Sequence, residues 1–232
     1  RYVWWAGHAT TITSAGSRVK NQGFGVPYKP LVYSLAGGRD GTTIGNDERV
    51  RGWDMFADPE KIDVSILALT DGGQTVATYV INNIVEKRRD CVAVLSPPRV
   101  TAVNNTDNEA VDIVTYRDRL PSTSYAMMDS GWKKIYDKYA DVSRMIPLNG
   151  DVAGCMVFTD WLHDPWWSPA GFRRGKIRNI EELAWNPNQP DRDILYKNNV
   201  NPVMHAKNEG VVLFGDKTLL THPSAFDRIN VR

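Results

Sequence analysis

The run KIDVSILALTDGGQTVATYVINNIVEKRRDCVAVLSPP, residues 61–98, decides the fold. It opens on KIDVSILALT (61–70), a short continuous apolar stretch rich in Val, Ile and Leu, which suits a strand buried on both faces of a parallel sheet. DGGQ follows, and then TVATYVINNIVEKRRD, in which Val76, Tyr79, Val80 and Ile84 fall on one helical face. Asp71, with Gln74 three residues on, has the capping-box arrangement, and Lys87, Arg88 and Arg89 sit in the last turn, where the helix dipole favours cations. CVAVLSPP (91–98) is a second apolar strand, stopped by two prolines. Strand, helix and strand at this length predict a βαβ unit.

Downstream, NEAVDIVTYRDRLP (108–121) predicts a helix ended by Pro121, and TSYAMMDSGWKKIYDKY (123–139) a strand that feeds an aromatic, charged segment. DVAGCMVFTDWLHD (151–164) is apolar on most sides and bounded by Gly150 and Pro165, so it reads as a buried helix. IRNIEELAW (177–185) and DRDILYKNN (191–199) read as two short helices, and GVVLFGDKTLL (210–220) as a strand, a Gly-Asp turn and another strand. Upstream, HATTITSAGSRVKNQGFG and LAGGRDGTTIGNDE are dense in turn residues, and residues 1–58 read as β and loop with short strands such as 1–6 and 30–35. The expected class is α/β in the mixed α+β sense, with a βαβ-containing domain over 59–232 after the end of a mostly β domain over 1–58. RYVWW at the start and FDRINVR at the end read as a chain cut from a longer one.

Composition excludes several classes. The 232 residues suffice for a real core, and 42% hydrophobic with 24% charged residues is ordinary for a globular protein. With 28 basic against 27 acidic side chains the net charge is +1, which disfavours bulk nucleic-acid binding. Cys91 and Cys155 both lie in apolar runs, so a reducing compartment is expected rather than a disulfide framework. The sequence has no run of eighteen apolar residues and no signal peptide.

Few constellations carry chemistry. LTDGGQTV puts glycines between a strand and a helix, where backbone N–H groups bind phosphate, but it matches neither G-x-G-x-x-G nor the phosphate loop. Asp160 and Asp164 are four apart with His163 between them, a spacing that suits a metal or acid–base work, yet no second His stands at ligand spacing. No G-x-S-x-G elbow is present, and neither cysteine has the setting of an activated thiol.

HDPWWSPAGFRRGK (163–176) is the most unusual stretch. Trp166, Trp167, Pro169 and Phe172 form an aromatic turn, and Arg173, Arg174, Lys176 and Arg178 follow closely. Three uses fit: a sugar-stacking shelf in an α/β hydrolase-like enzyme, a nucleic-acid grip, or a charged surface for a protein partner. No carboxylate pair is singled out for the first, and Glu181 and Glu182 weaken the second, so the third is preferred.

The order of landmarks resembles the contractile tail sheath proteins of T-even-type bacteriophages. The resemblance runs through GGRDG (37–41), VSILALTDGG (64–73), EKRRDCVAVLSPP (86–98), TSYAMMDSGWKKIYDKY, VAGCMVFTD (152–160), WWSPAGFRRGKI (166–177), RDILYKNNVNPV (192–203), VVLFGDKTL (211–219) and PSAFDRINVR (223–232). It implies a structural virion protein without cofactor or active site, related to pyocin and type VI secretion sheaths. Such subunits form stacked hexameric rings around an inner tail tube and contract on a baseplate signal. Implied partners are further copies of the subunit, the tube, the baseplate and the tail terminator, with no direct nucleic acid and no membrane insertion. The implied place is the tail of a virion, assembled in the host cytoplasm. Residues 1–58 would close an inserted, outward-facing domain. Arg173, Arg174, Lys176 and Arg178 become candidate inter-subunit contacts, as do Lys217, Asp227, Arg228 and Arg232, while the aromatic turn packs within the subunit and against neighbours.

Overall fold

The computed structural model describes residues 43–71 and 73–229, with Gly38 and Gly41 besides. The chain divides into two units, Arg1–Thr43 and Ile44–Arg232, and the architecture below is that of the second. The strands expected at 1–6 and 30–35, and Arg232, lie outside the described residues.

Three short strands, β1 (Ile66–Ala68), β2 (Val92–Leu95) and β3 (Ala126–Met128), form a parallel sheet in the order β1-β2-β3. The register sets Ile66 against Val92 and Ala93 against Ala126. Parallel neighbours need crossovers. The first is α2 (Gly73–Val80), which runs on through a π-helical turn (Ile81–Val85) into α3 (Glu86–Arg88). The second contains α4 (Arg99–Ala102) and α5 (Glu109–Asp118). The βαβ unit is therefore present.

Alternation along the strands gives the sheet two cores. Leu67, Ala93, Leu95 and Met128 point one way and pack with Val76, Ile81, Ile84 and Ile113 of the crossovers. Val94 and Met127 point the other way, with Ile66 and Val92, against Leu148 and Val152. Val152 belongs to α6 (Asn149–Leu162), so helices cover both faces of the sheet.

Several expectations need correction. Helix α2 opens at Gly73, whose φ of 66° a glycine adopts without a Cβ penalty, so Asp71 stands too early to cap it with Gln74. Arg88 does more than complement the helix dipole: its buried guanidinium donates to Phe56 O (2.6 Å), Ile62 O (3.0 Å) and Asp90. Residues 46–54, read as turns, form helix α1 (Asn46–Asp54), and Trp53 and Phe56 pack onto the first core. The stretch 177–185 is not a helix. It contains β6 (Glu182–Leu183), paired to β4 (Trp132–Asp137), which also pairs with β5 (Val142–Pro147). Glu181 N donates to Lys134 O (2.9 Å) and Ala184 N to Trp132 O (2.8 Å), and this long-range pairing overrides local helix propensity.

Helix α7 (Gln189–Lys197) starts two residues earlier than 191 because Asn188 and Asp191 form a true capping box ahead of it. The chain then makes a hairpin of β7 (Val203–Ala206) and β8 (Gly210–Leu213). In place of a second strand at 217–220, Lys217 makes a single bridge to Arg228, and Leu219 N donates to Ala126 O at 2.9 Å.

Candidate functional site

The basic segment is positioned by the start of α6, where the ends of all three strands meet. Asn149 N donates to Ser96 Oγ (2.9 Å), and its Nδ2 donates to Thr70 O (3.0 Å). Ser96 Oγ donates in turn to Asp129 Oδ2 (2.6 Å), and Gly131 N to Asp129 Oδ1 (2.9 Å). Asp129 is completely buried, and loss of hydration pushes its carboxyl up to about 8. At the start of β4, the buried Lys133 Nζ donates to Asp151 Oδ1 (2.8 Å), Arg178 O (3.0 Å) and Asn179 O (3.2 Å). That ammonium ties the basic segment to the first turn of α6.

Gly175 fixes the other end. Its N donates to Gly171 O (2.8 Å), and its O accepts from Leu213 N (2.8 Å). A Cβ there would lie 2.9 Å from both Gly171 N and Leu213 O, so no other residue fits without backbone movement. Ile177 N continues the pairing to Val211 O, which lays 175–177 along β8.

The candidate cations divide by what they touch. Arg174 Nε donates to Ser168 O (2.7 Å), and its guanidinium lies 5.3 Å over the Trp167 ring. Lys176 pairs with Glu209 at 2.7 Å. Arg173 and Arg178 make no ion pair among the described residues; Arg178 stands 6.0 Å over the Phe158 ring. Arg173, Lys176 and Arg178 line a groove of about 320 Å³ with Gly150, Gly154 and Phe158 of α6. In the second group Lys217 Nζ is 4.4 Å over Tyr196, and Arg228 pairs with Asp216 at 2.8 Å, which holds the Arg228 proton more tightly than usual. The Asp227 carbonyl accepts from Thr218 N (2.8 Å).

The aromatic turn is partly internal. Pro169 is buried, Trp167 stacks on His163 at 4.9 Å, and Phe172 meets Phe214 at 6.1 Å. Trp166 stays 63% exposed. Helix α6 is not the buried helix expected and carries an exposed apolar face of its own. Asn149, Val152, Cys155 and Thr159 face the core, while Val157 and Trp161 face out, Trp161 at 79% exposure. The sequence signal was present in the absence of a polar face on 151–162; the reading assigned all of it to the core.

Catalytic chemistry finds little footing. His163 is engaged by Trp167, and among the described residues no three His, Cys, Asp or Glu side chains gather to hold a metal. Burial pushes the Cys91 and Cys155 thiols up to about 11. A pocket does lie at the strand end beyond Leu69, lined by Arg49, Trp53, Phe56 and Ile146, but Asp71 is the one acid in its described lining. Among the described residues no helix is long and apolar enough to cross a membrane.

Residues 42–219 match the family described as the phage tail sheath protein central domain. The tail sheath protein of Vibrio phage KVP40 is 38% identical over 221 residues, covering 86% of this chain and 33% of the relative. That of Enterobacteria phage T4 is 39% identical over 219 residues, covering 87% and 33%. The chain thus spans about a third of these curated relatives. Among solved structures, the contracted helical sheath of the anti-feeding prophage aligns with a TM-score of 0.60 at 14% identity, over 86% of this chain and 49% of that one. The contracted PVC sheath complex, from an extracellular contractile injection system, aligns with a TM-score of 0.58 at 20% identity, over 75% and 45%. At those identities the structures speak for the fold.

Proposed function

The chain belongs to the phage tail sheath protein family, and from that premise we propose that it is the central part of a contractile tail sheath subunit. The whole subunit is a structural virion protein that polymerises as stacked hexameric rings around a tail tube and contracts to drive the tube through the host envelope. The observation that carries this reading is the family match over 42–219, joined to an outward surface of cations and aromatics. Further copies are the main partner. Tube, baseplate and terminator proteins complete the set, the tail of the virion is the location, and assembly takes place in the host cytoplasm. Residues 1–58 close an outward-facing inserted domain.

The physics suits a sheath. Subunits that slide between two packed states exchange polar, charge-complementary contacts more cheaply than one large dry interface. A net charge of +1 spares stacked copies from mutual repulsion. The hydrolase alternative draws no support from a structural family, and the pocket at the strand ends lacks a converging carboxylate pair. Arg173 and Arg178 are the strongest contact residues, because Arg174 and Lys176 already have partners in the chain. Lys217, Asp227 and Arg228 form a second, weaker group.

The test is the full-length subunit carrying Arg173→Glu with Arg178→Glu. It is expected to fold normally, since both side chains are exposed, and to form tubes about tenfold less readily at low salt. Normal tube yield, counted by electron microscopy, removes both residues from the interface.

A further inference from the structure

The outward ridge of α6 has a counterpart on the far side of the sheet. On α6, Val157 is 58% exposed and Trp161, one turn on, 79%; Trp166, past the helix end, is 63% exposed. Exposed apolar side chains one helical turn apart mark a candidate contact surface. Helix α5 presents Val111 (60% exposed), Thr115 and Asp118 along one outward row, and Val100 of α4 is 79% exposed. The two helices sit on opposite faces, because Ile113 of α5 packs into the core with Leu95 and Met128, whereas Val152 of α6 packs into the core with Val94 and Met127.

Charge separates the two surfaces as well. On the α5 side stand Asp107, Glu109, Asp112, which accepts from Asn105 Nδ2 (2.9 Å), and Asp118, which lies 3.8 Å from Arg117, against the exposed bases Arg99 and Arg119. Arg173, Arg174, Lys176 and Arg178 mark the α6 side against Asp160, Asp164 and the already paired Glu209. Two α6 ridges meeting each other would bring Arg173 and Arg178 of both copies together, which like-charge repulsion opposes.

We propose that the outward face of α6 in one copy docks on the outward face of α5 in the next. This rests on the sheath reading and specifies one of its contacts. Two different patches on opposite sides of one body make a head-to-tail contact, and such contacts propagate instead of closing as pairs. The occupant of the ridge is therefore a second copy of this chain, acidic and apolar where the ridge is basic and aromatic.

The experiment uses the full-length subunit with Val157→Cys and Val111→Cys, singly and together. Cys91 and Cys155 are buried and stay unchanged. Before assembly, Cys at 157 is expected to react with a bulky polyethylene-glycol maleimide; after assembly that reagent is expected to be excluded, while small maleimides still reach the site. A flexible bis-maleimide added to assembled tubes is expected to give a ladder of linked multimers from the double variant and none from either single variant. Dimers from Val157→Cys alone would mean α6 against α6 and overturn the proposal. An unreactive 157 in the unassembled subunit would mean that the subunit's own remaining chain covers the ridge, which overturns it too. Tubes without a ladder overturn the contact and leave the sheath reading standing, whereas a wild type that forms no tubes fails both. Trp161→Asp is an independent check. It should leave the monomer folded and cut tube yield about tenfold or more, and unchanged yield counts against the contact.

Discussion

Replacing Asp129 by Asn is expected to flatten the fall in stability between pH 5 and pH 8.5. Burial raises the Asp129 carboxyl from 3.8 to about 8, with Ser96 and Gly131 donating to it only in part compensation. Between those values the folded chain holds a proton that the unfolded chain has released. The stability from this group is complete below about pH 4 and is lost as pH rises through about 8. The loss amounts to about 4 kcal/mol between pH 5 and 8 at 1.36 kcal/mol per unit. Asn has no proton to lose, and its carbonyl can still accept from Gly131 N. Urea midpoints of wild type and Asp129→Asn across this range isolate the effect, since every other titrating group is common to both. Parallel curves for the two proteins would show that Asp129 does not titrate in this range.

Lys133→Met is expected to cost about 3 kcal/mol and to free the basic segment. Met keeps most of the side-chain volume, so the loss comes from polar groups left unpaired rather than from a cavity. Those groups are the Asp151 carboxylate and the carbonyls of Arg178 and Asn179, which the ammonium now holds together. Removing one member of a buried pair strands the other, and that is the costly case. Asp151→Leu added to Lys133→Met should recover part of the loss. Urea unfolding gives the energy, and trypsin cleavage after Arg173 and Arg174 reports release of the segment. A loss below about 1 kcal/mol with cleavage unchanged would deny Lys133 its tethering role.

The sheet and its first crossover were legible because 61–98 carries both periods undiluted. Apolar runs flank a helix whose Val76, Val80 and Ile84 are all buried. The family was legible from the order of short blocks, and the match over 42–219 agrees with it. Helix 177–185 failed because its backbone pairs with Lys134 and Trp132, some fifty residues away, and no local pattern encodes that. The ridge on α6 failed for a different reason. Val157 and Trp161 look like core residues in sequence, yet the fold leaves both exposed. The basic residues were visible, but their commitments were not. Arg174, Lys176 and Arg228 meet partners 6, 33 and 12 residues away, and only the fold shows these pairings. Asp129 and Lys133 lie in a strand-and-turn stretch with no motif, so nothing marked them as the polar joint that sets α6 against the sheet.

Electron microscopy of the full-length subunit, purified and concentrated with and without the tube protein as template, tests the central claim most directly. A sheath subunit gives long, regular tubes built of stacked six-fold rings. A protein that stays a single-size monomer at every salt and concentration, template included, contradicts it.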